Sequence, residues 1–440
     1  MNFPARYTFS RTGEQGECKV KLAEDSLSVG PPSGEPILLS LRDILEFSES
    51  DFTFSIKLVT GGELSLSQLG YYGADFLRML SKYRNEIILK DLLMDEKVRD
   101  RGKEAEFVRL DAGGAEKQKG KCELRLYETA LVVLPENGEL ARLPYSDVTG
   151  FNVIDHSLEV GVEAGEKYLF SKMGYQLDPF KEALSKAMNE IMLKVQEIVK
   201  EILPSADPVL TRKLAHIIRE GRAAPRKEVE SVSPDFWSAL EKKVMSTPAK
   251  GEYEGLKALA RREKIAIGVK RGLSSQAGDY LWFLMPIYSS NAIAMEAIQL
   301  GEEEGKGKAT YFFKMMSRQD FKPDKKTEEL DAVADKVIQQ VNRCMIETNF
   351  RRLPIYLPEE KLLDQKYERY RFAIAKLSAL RALRGLFIGR VIHASPEQVK
   401  QDIQDLLKFN VGTRDDGARW AKDIFDEEGE VAVKSDKEET

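Results

Sequence analysis

The sequence predicts an α+β protein: two tandem β-barrel modules, each closed by a C-terminal helix, then a mixed sheet-plus-helix domain with long C-terminal helices. Three observations carry that reading. A shift of 104 positions lays residues 16–90 onto 120–194 without a gap. Each copy moves once from an apolar period of two to a period of three and four. The second half repeats the order of strands before helix. At 440 residues the chain exceeds one core. A composition 42% hydrophobic and 32% charged excludes disordered and collagenous classes. Lys+Arg 67 against Asp+Glu 72 leaves a net charge of -5, so any role at nucleic acid or anionic membrane is local.

In the repeat, Gly16, Cys18, Leu22, Glu24, Leu27, Val29, Gly34, Leu39, Asp43 and Phe47 fall on Gly120, Cys122, Leu126, Glu128, Leu131, Val133, Gly138, Leu143, Asp147 and Phe151. Gly61, Gly70, Tyr71, Phe76, Leu80, Asn85, Glu86, Ile87 and Leu89 fall on Gly165, Gly174, Tyr175, Phe180, Leu184, Asn189, Glu190, Ile191 and Leu193. Residues 122–126 alternate and 130–134 form a short apolar run, so both read as strands. Asn137-Gly138 tolerates the positive φ of a tight turn, and Pro31, Pro32, Ser33 and Gly34 turn copy one. Leu158, Val160 and Val162, then Tyr168 and Phe170 beyond Gly165, extend the meander. Phe180, Leu184, Ala187, Ile191, Val195 and Ile198 define one helical face behind Asp178-Pro179, an N-cap and first-turn proline. The face in copy one is Phe76, Leu80, Tyr83 and Ile87. Phe47 with Phe151, and Phe76 with Phe180, are the expected equivalent buried anchors.

The pattern Gly-x-Cys-x-x-x-Leu, an apolar strand, a Gly turn, the Asp43/Asp147 lead-in to Phe47/Phe151, then hairpin and helix resembles PH-like domains of the GRAM and bacterial PH groups. The resemblance covers residues 5–200. It implies β-barrel modules at 1–95 and 105–203 and a role in binding lipid headgroups, peptides or histones.

Residues 204–235 read as helix and linker, with Ala223, Ala224, Pro225 and a mixed-charge run punctuating 221–234. An α+β domain follows at 236–352: helix to about Arg262 broken near Thr247-Pro248, strands at 265–270, 280–288, 292–300 and 309–316, then a helix over 327–350. It is a candidate third module without register to the first two. A helical region at 353–422 contains one long helix over 359–393 and a second opened by the capping box Ser395, Pro396, Glu397, Gln398. Residues 423–440 read as a disordered acidic tail.

Chemistry is sparse. His156, His216 and His393 lack partners at zinc spacing, and Cys18 and Cys122 read as core residues. Residues 301–308 miss the Walker spacing and read as an exposed hairpin loop; 272–278 read as a turn. Two basic features remain. Lys117, Lys119, Lys121 and Arg125 flank the first hairpin of copy two, where the resemblance implies headgroup contacts; a solvated edge is the alternative. Arg381 and Arg384 lie in a run over 369–390 without acidic residues, beside Leu377, Leu380, Leu383, Phe387 and Val391. That basic face suits internal packing, a protein or nucleic-acid partner, or a membrane surface. Gly385 and Gly389 favour packing.

These features point to a non-enzymatic intracellular adaptor or scaffold that binds a protein partner through its tandem modules and needs no metal or cofactor. The alternatives are a peripheral membrane protein binding anionic lipid headgroups, or a nucleic-acid or chromatin-type chaperone. Nucleic acid is disfavoured, and homo-oligomerisation stays open. Three widely spaced cysteines and the lack of a secretory start or an apolar span predict a cytoplasmic address.

Overall fold

A computed structural model describes residues 2–93, 96–271, 279–300, 309–322, 325–348, 350–393, 395–412 and 419–420. The turn expected at 272–278, the loop at 301–308 and the tail at 423–440 lie outside the described residues. The chain is α+β and divides into two compact units, residues 1–191 with 362–376 and residues 192–361 with 377–440. Among the described residues no helix is long and apolar enough to cross a membrane.

In the first unit, copy one comprises β1 (Asn2–Phe9), β2 (Glu14–Leu22), β3 (Ser26–Gly30), β4 (Ile37–Ser40), β5 (Ile44–Ser50), β6 (Thr53–Leu58), β7 (Glu63–Ser67) and helix α1 (Gly73–Leu93). Copy two repeats it as β8 (Val98–Leu110), β9 (Glu116–Tyr127), β10 (Ala130–Pro135), β11 (Ala141–Pro144), β12 (Val148–Ile154), β13 (Ser157–Val162), β14 (Lys167–Ser171) and α2 (Leu177–Ile202), a helix that continues from Met192 into the second unit. Both sheets have seven antiparallel strands in the same order, β4-β3-β2-β1-β7-β6-β5 and β11-β10-β9-β8-β14-β13-β12. The expected closed barrels are open sheets, because β4 and β5, like β11 and β12, are outer strands without a mutual ladder. In copy one, β4 is only four residues long, and a 3-10 turn over Leu41–Asp43, capped by the Ser40 side chain on Arg42 N, redirects the chain. The closing helix fills the core instead: Phe76 is fully buried, its ring 5.4 Å from both Phe3 and Phe54 in edge-on geometry. Phe180, the equivalent of Phe76, and Leu184, the equivalent of Leu80, are fully buried as well.

Phe47 and Phe151 are equivalent but only half-buried, which corrects their reading as buried anchors. Both lie on outer strands just after a register shift, between Ile44 and Glu46 and between Val148 and Gly150. That irregularity re-aims the side chains that follow.

Copy one and copy two join through α1. Every residue of β10 is buried, since Leu131 and Val133 face the core of copy two while Val132 and Leu134 face outward against Leu89 of α1. This second cover explains an unbroken apolar run where copy one has the alternating Ser26–Gly30. Around that contact Gly138 N donates to Ser81 Oγ at 2.9 Å, Asn85 Nδ2 donates to Gly138 O at 2.9 Å, and Leu140 N donates to Asn85 Oδ1 at 3.0 Å. Arg125 grips Glu86 with two bonds of 2.7 and 3.1 Å.

The second unit contains α3 (Pro208–Ile217), β15 (Ala224–Pro225), α4 (Arg226–Glu230), α5 (Pro234–Met245), α6 (Lys250–Leu259), β16 (Ala266–Lys270), β17 (Tyr280–Ile287), β18 (Ala292–Gln299), β19 (Ala309–Lys314), α7 (Thr327–Glu347), α8 (Leu353–Tyr356) and α9 (Glu359–Leu362). The chain then supplies α10 (Glu368–Lys376) to the first unit, and α11 (Ser378–Leu386), β20 (Phe387–Ile392) and α12 (Pro396–Val411) to the second. Its antiparallel sheet runs β15-β16-β17-β18-β19-β20.

Two expectations fail here. The stretch 221–234 is no linker: Ala224 pairs with Ile267, and Ala223 and Val229 are fully buried. Its backbone polar groups find distant partners. Ala223 exchanges two bonds with the Asn342 amide, and Trp282 Nε1 donates to Gly221 O at 2.7 Å. The long helix over 359–393 is also broken. Leu377 adopts an extended backbone between α10 and α11, and Phe387–Ile392 pairs as a strand with β19, setting Gly389 opposite Phe312. The two glycines therefore make no helix-packing stripe.

Candidate binding surfaces

Strand alternation places Lys117, Lys119, Lys121 and Arg125 on the outer face of β9, with Cys122, Leu124 and Leu126 facing inward. The structure splits the four. Lys117 Nζ lies 3.0 Å from Asp111 Oδ2, and Lys119 Nζ lies 2.9 Å from Glu116 Oε1. The Lys117 ammonium, with the amides of Ala115 and Gly113, holds the Asp111 carboxyl below its ordinary range. Lys121 is exposed. Arg125 sits eight residues from Lys117, roughly 26 Å along a strand, and is tied to Glu123 and Glu86 at the joint between copies. The basic tip is thus Lys117, Lys119 and Lys121.

Arg384 is buried, donating to Pro354 O at 2.7 Å, Ile355 O at 3.3 Å and Glu359 Oε1 at 2.7 Å. Arg381 lies exposed on the same helix, so the two do not share one accessible face. The basic run finds its counter-charges far away in sequence. In the first unit Arg371 bonds Asp43, 328 residues distant, and Lys376 bonds Glu139, 237 residues distant, and the Leu45 carbonyl.

A different surface was not singled out from the sequence. The β5–β6 hairpin turns on Asp51 and Phe52, both left-handed at φ 50° and 59°; the β12–β13 hairpin turns on Asp155 and His156 at 48° and 60°. Such two-residue turns favour Asn-Gly, and a phenylalanine there carries strain of order 1–3 kcal/mol. Beyond each last strand, Gly70 and Gly174 also take left-handed φ, 55° and 56°, and present Tyr71 and Tyr175, which are 83% and 90% exposed. In copy one these segments line an open cleft of about 650 Å³ formed by Asp51, Phe52, Thr53, Ser67, Gln68, Gly70 and Tyr71. Phe52 is 85% exposed at its rim. The Tyr71 hydroxyl donates to that of Tyr72 at 2.8 Å, which pushes the Tyr72 phenol up. The available signal was the pair Gly70-Tyr71 and Gly174-Tyr175, shared by both copies.

In the second unit Thr310, Glu296 and His393 form a polar cluster. Thr310 Oγ1 donates to Glu296 Oε2 at 2.7 Å, and His393 Nε2 lies 3.0 Å from that hydroxyl. His393 Nδ1 is 3.8 Å from Glu252 Oε1. Thr310 is fully buried. Among the described residues no three His, Cys, Asp or Glu side chains are placed to hold a metal ion. Burial pushes the thiols of Cys18 and Cys344 up and that of Cys122 up to about 12, which keeps them protonated and unreactive near neutral pH. No protein-family model matches this sequence, and no curated protein matches it.

Proposed function

We propose that the chain is a non-enzymatic adaptor of the cytoplasm whose two sheet-plus-helix copies are PH-like modules that bind a protein partner. The modules' identical strand order and equivalent closing helices support the PH-like reading. The buried, unpaired cysteines accord with a reducing compartment. The observation that carries the function is the cleft of copy one, where Phe52 and Tyr71 expose apolar surface that no core requires and a strained turn holds one of them outward. Aromatic side chains of this kind anchor protein interfaces, since they bury much area for little side-chain entropy. The carboxylates of Asp111 and Glu116 beside Lys117 and Lys119 lower the positive potential of that tip, which makes the headgroup reading the weaker one.

The test is quantitative native co-purification from the source cell with the wild type and the Phe52→Ser/Tyr71→Ser variant. A partner retained in stoichiometric amount by the wild type and lost by the variant, at unchanged melting temperature, supports the reading. Identical partner sets overturn it.

A further inference from the structure

We propose that this chain associates head to tail with a second copy of itself, α2 of one chain seating on the outer face of β2, β3 and β4 of the next. The joint within the chain is the template. There α1 presents Ser81 and Asn85 to the Gly138 turn, Glu86 to Arg125, and Leu89, only 5% exposed, to Tyr127, Val132 and Leu134.

The same four side chains recur at the same register on the continuous helix α2 as Ser185, Asn189, Glu190 and Leu193. Leu193 is 56% exposed, Asn189 is exposed and Ser185 is half-buried. Glu190 pairs with Arg99 of its own copy, an ion pair at the surface that a new partner can replace at small cost.

The receiving surface recurs as well. Gly34 stands at the place of Gly138 and shares its left-handed backbone, φ 109° beside 115°. Lys21 stands in register with Arg125 and is exposed, so Glu190 meets a cation there as Glu86 does within the chain. Val132 is replaced by Ser28, but Leu38, paired with Ser28 across β3 and β4, is 71% exposed on that outer face and supplies the apolar contact for Leu193. Two exposed leucines thus belong to the two halves of one joint.

The joint is heterologous, because the donating and receiving faces differ, and it therefore propagates beyond a dimer. It lacks the Arg84–Glu139 pair, since Met188 and Glu35 occupy those registers, and it lacks the apolar wall of Val132 and Leu134. Association is accordingly weaker than the internal joint and depends on concentration.

Sedimentation velocity of the full chain, over a hundredfold concentration series reaching about 1 mM, tests this. The wild type is expected to show a rising weight-average sedimentation coefficient. Leu193→Asp blocks the donating face and Leu38→Asp the receiving face, so each variant alone stays monomeric. Their equimolar mixture retains one good pair of faces and forms a dimer that grows no further. Because both leucines are exposed, unchanged melting temperatures verify the fold. A monomeric wild type, a variant that still associates alone, or a mixture that stays monomeric or exceeds a dimer each overturns the proposal.

Discussion

Removing Glu139 should destabilise the first unit more than removing the buried arginine it pairs with. The Arg84 side chain is 1% exposed, and its guanidinium donates to Glu139 at 3.0 Å, Ile44 O at 2.9 Å and Leu45 O at 2.7 Å. It lies over the rings of Phe47 and Phe372 at 5.4 and 5.9 Å. Lys376 reaches the same Glu139 oxygen at 2.8 Å, and burial pushes its ammonium below its ordinary value. Glu139→Ala therefore leaves two cations without a carboxylate. Stranding a buried charge costs about 3–5 kcal/mol; the low end, about 3 kcal/mol, applies because the Glu139 side chain is 42% exposed. Arg84→Met, the residue copy two carries at Met188, leaves Glu139 and Leu45 O their bonds to Lys376. Its main loss is the partner of Ile44 O, about 1–3 kcal/mol, offset by ending the desolvation of the guanidinium. Urea unfolding of the full chain, followed by hydrogen exchange at the β5 amides, separates local from global effects. Destabilisation by Arg84→Met equal to or above that by Glu139→Ala would refute the argument.

Bonds from Lys257 at 2.6 Å and Tyr253 at 2.7 Å oppose the upward push of burial and hold the Glu241 carboxyl below its ordinary range. A depressed carboxylate stabilises the fold above the unfolded value of about 4.3 and loses that contribution as pH falls through the folded value. Melting temperature against pH should fall less steeply below about pH 4 in Glu241→Gln than in the wild type; parallel curves would exclude this group. Arg384→Glu should unfold the second unit at markedly lower temperature, because it sets a carboxylate beside Glu359 and two carbonyls, whereas exposed Arg381→Glu should shift melting little. Equal shifts would contradict the assigned burial. Phe180→Ala, at a fully buried site, should cost about 3–5 kcal/mol by denaturant titration; an unchanged midpoint would show that α2 does not close copy two.

The internal repeat and the strands at 266–270, 280–287, 292–299 and 309–314 were legible because each depends on local alternation and turn chemistry. The last strand was not. Leu383, Phe387 and Val391 recur every four residues, so the run also satisfies a helical period, and only pairing with β19 decides for β20. The segment at 221–234 misled for the same reason, since Asn342 and Trp282 satisfy its backbone from far along the chain. For the basic residues, charge was visible but its neutralisation was not. Asp111 and Glu116 lie beside Lys117 and Lys119 in sequence, yet Asp43 and Glu139 reach Arg371 and Lys376 only through the fold.

The exposed positions were hardest to read, because alternation assigns a residue to a face without saying whether that face is covered. Leu89 and Leu193 illustrate this. They match in type and register on the equivalent helices α1 and α2, yet one is 5% and the other 56% exposed. Tyr71 and Tyr175 sit in the repeat among apolar matches and would be taken for core, yet both face solvent beside a left-handed glycine. Matched residues that differ in burial mark a face used once inside the chain and presented again on its surface. Matched residues exposed in both copies have no core to account for them, and in copy one they border the cleft at Phe52. The duplication therefore separates two kinds of surface: α2 carries the first kind, suited to a joint the chain already makes, and the two tyrosines carry the second, suited to a partner of different chemistry.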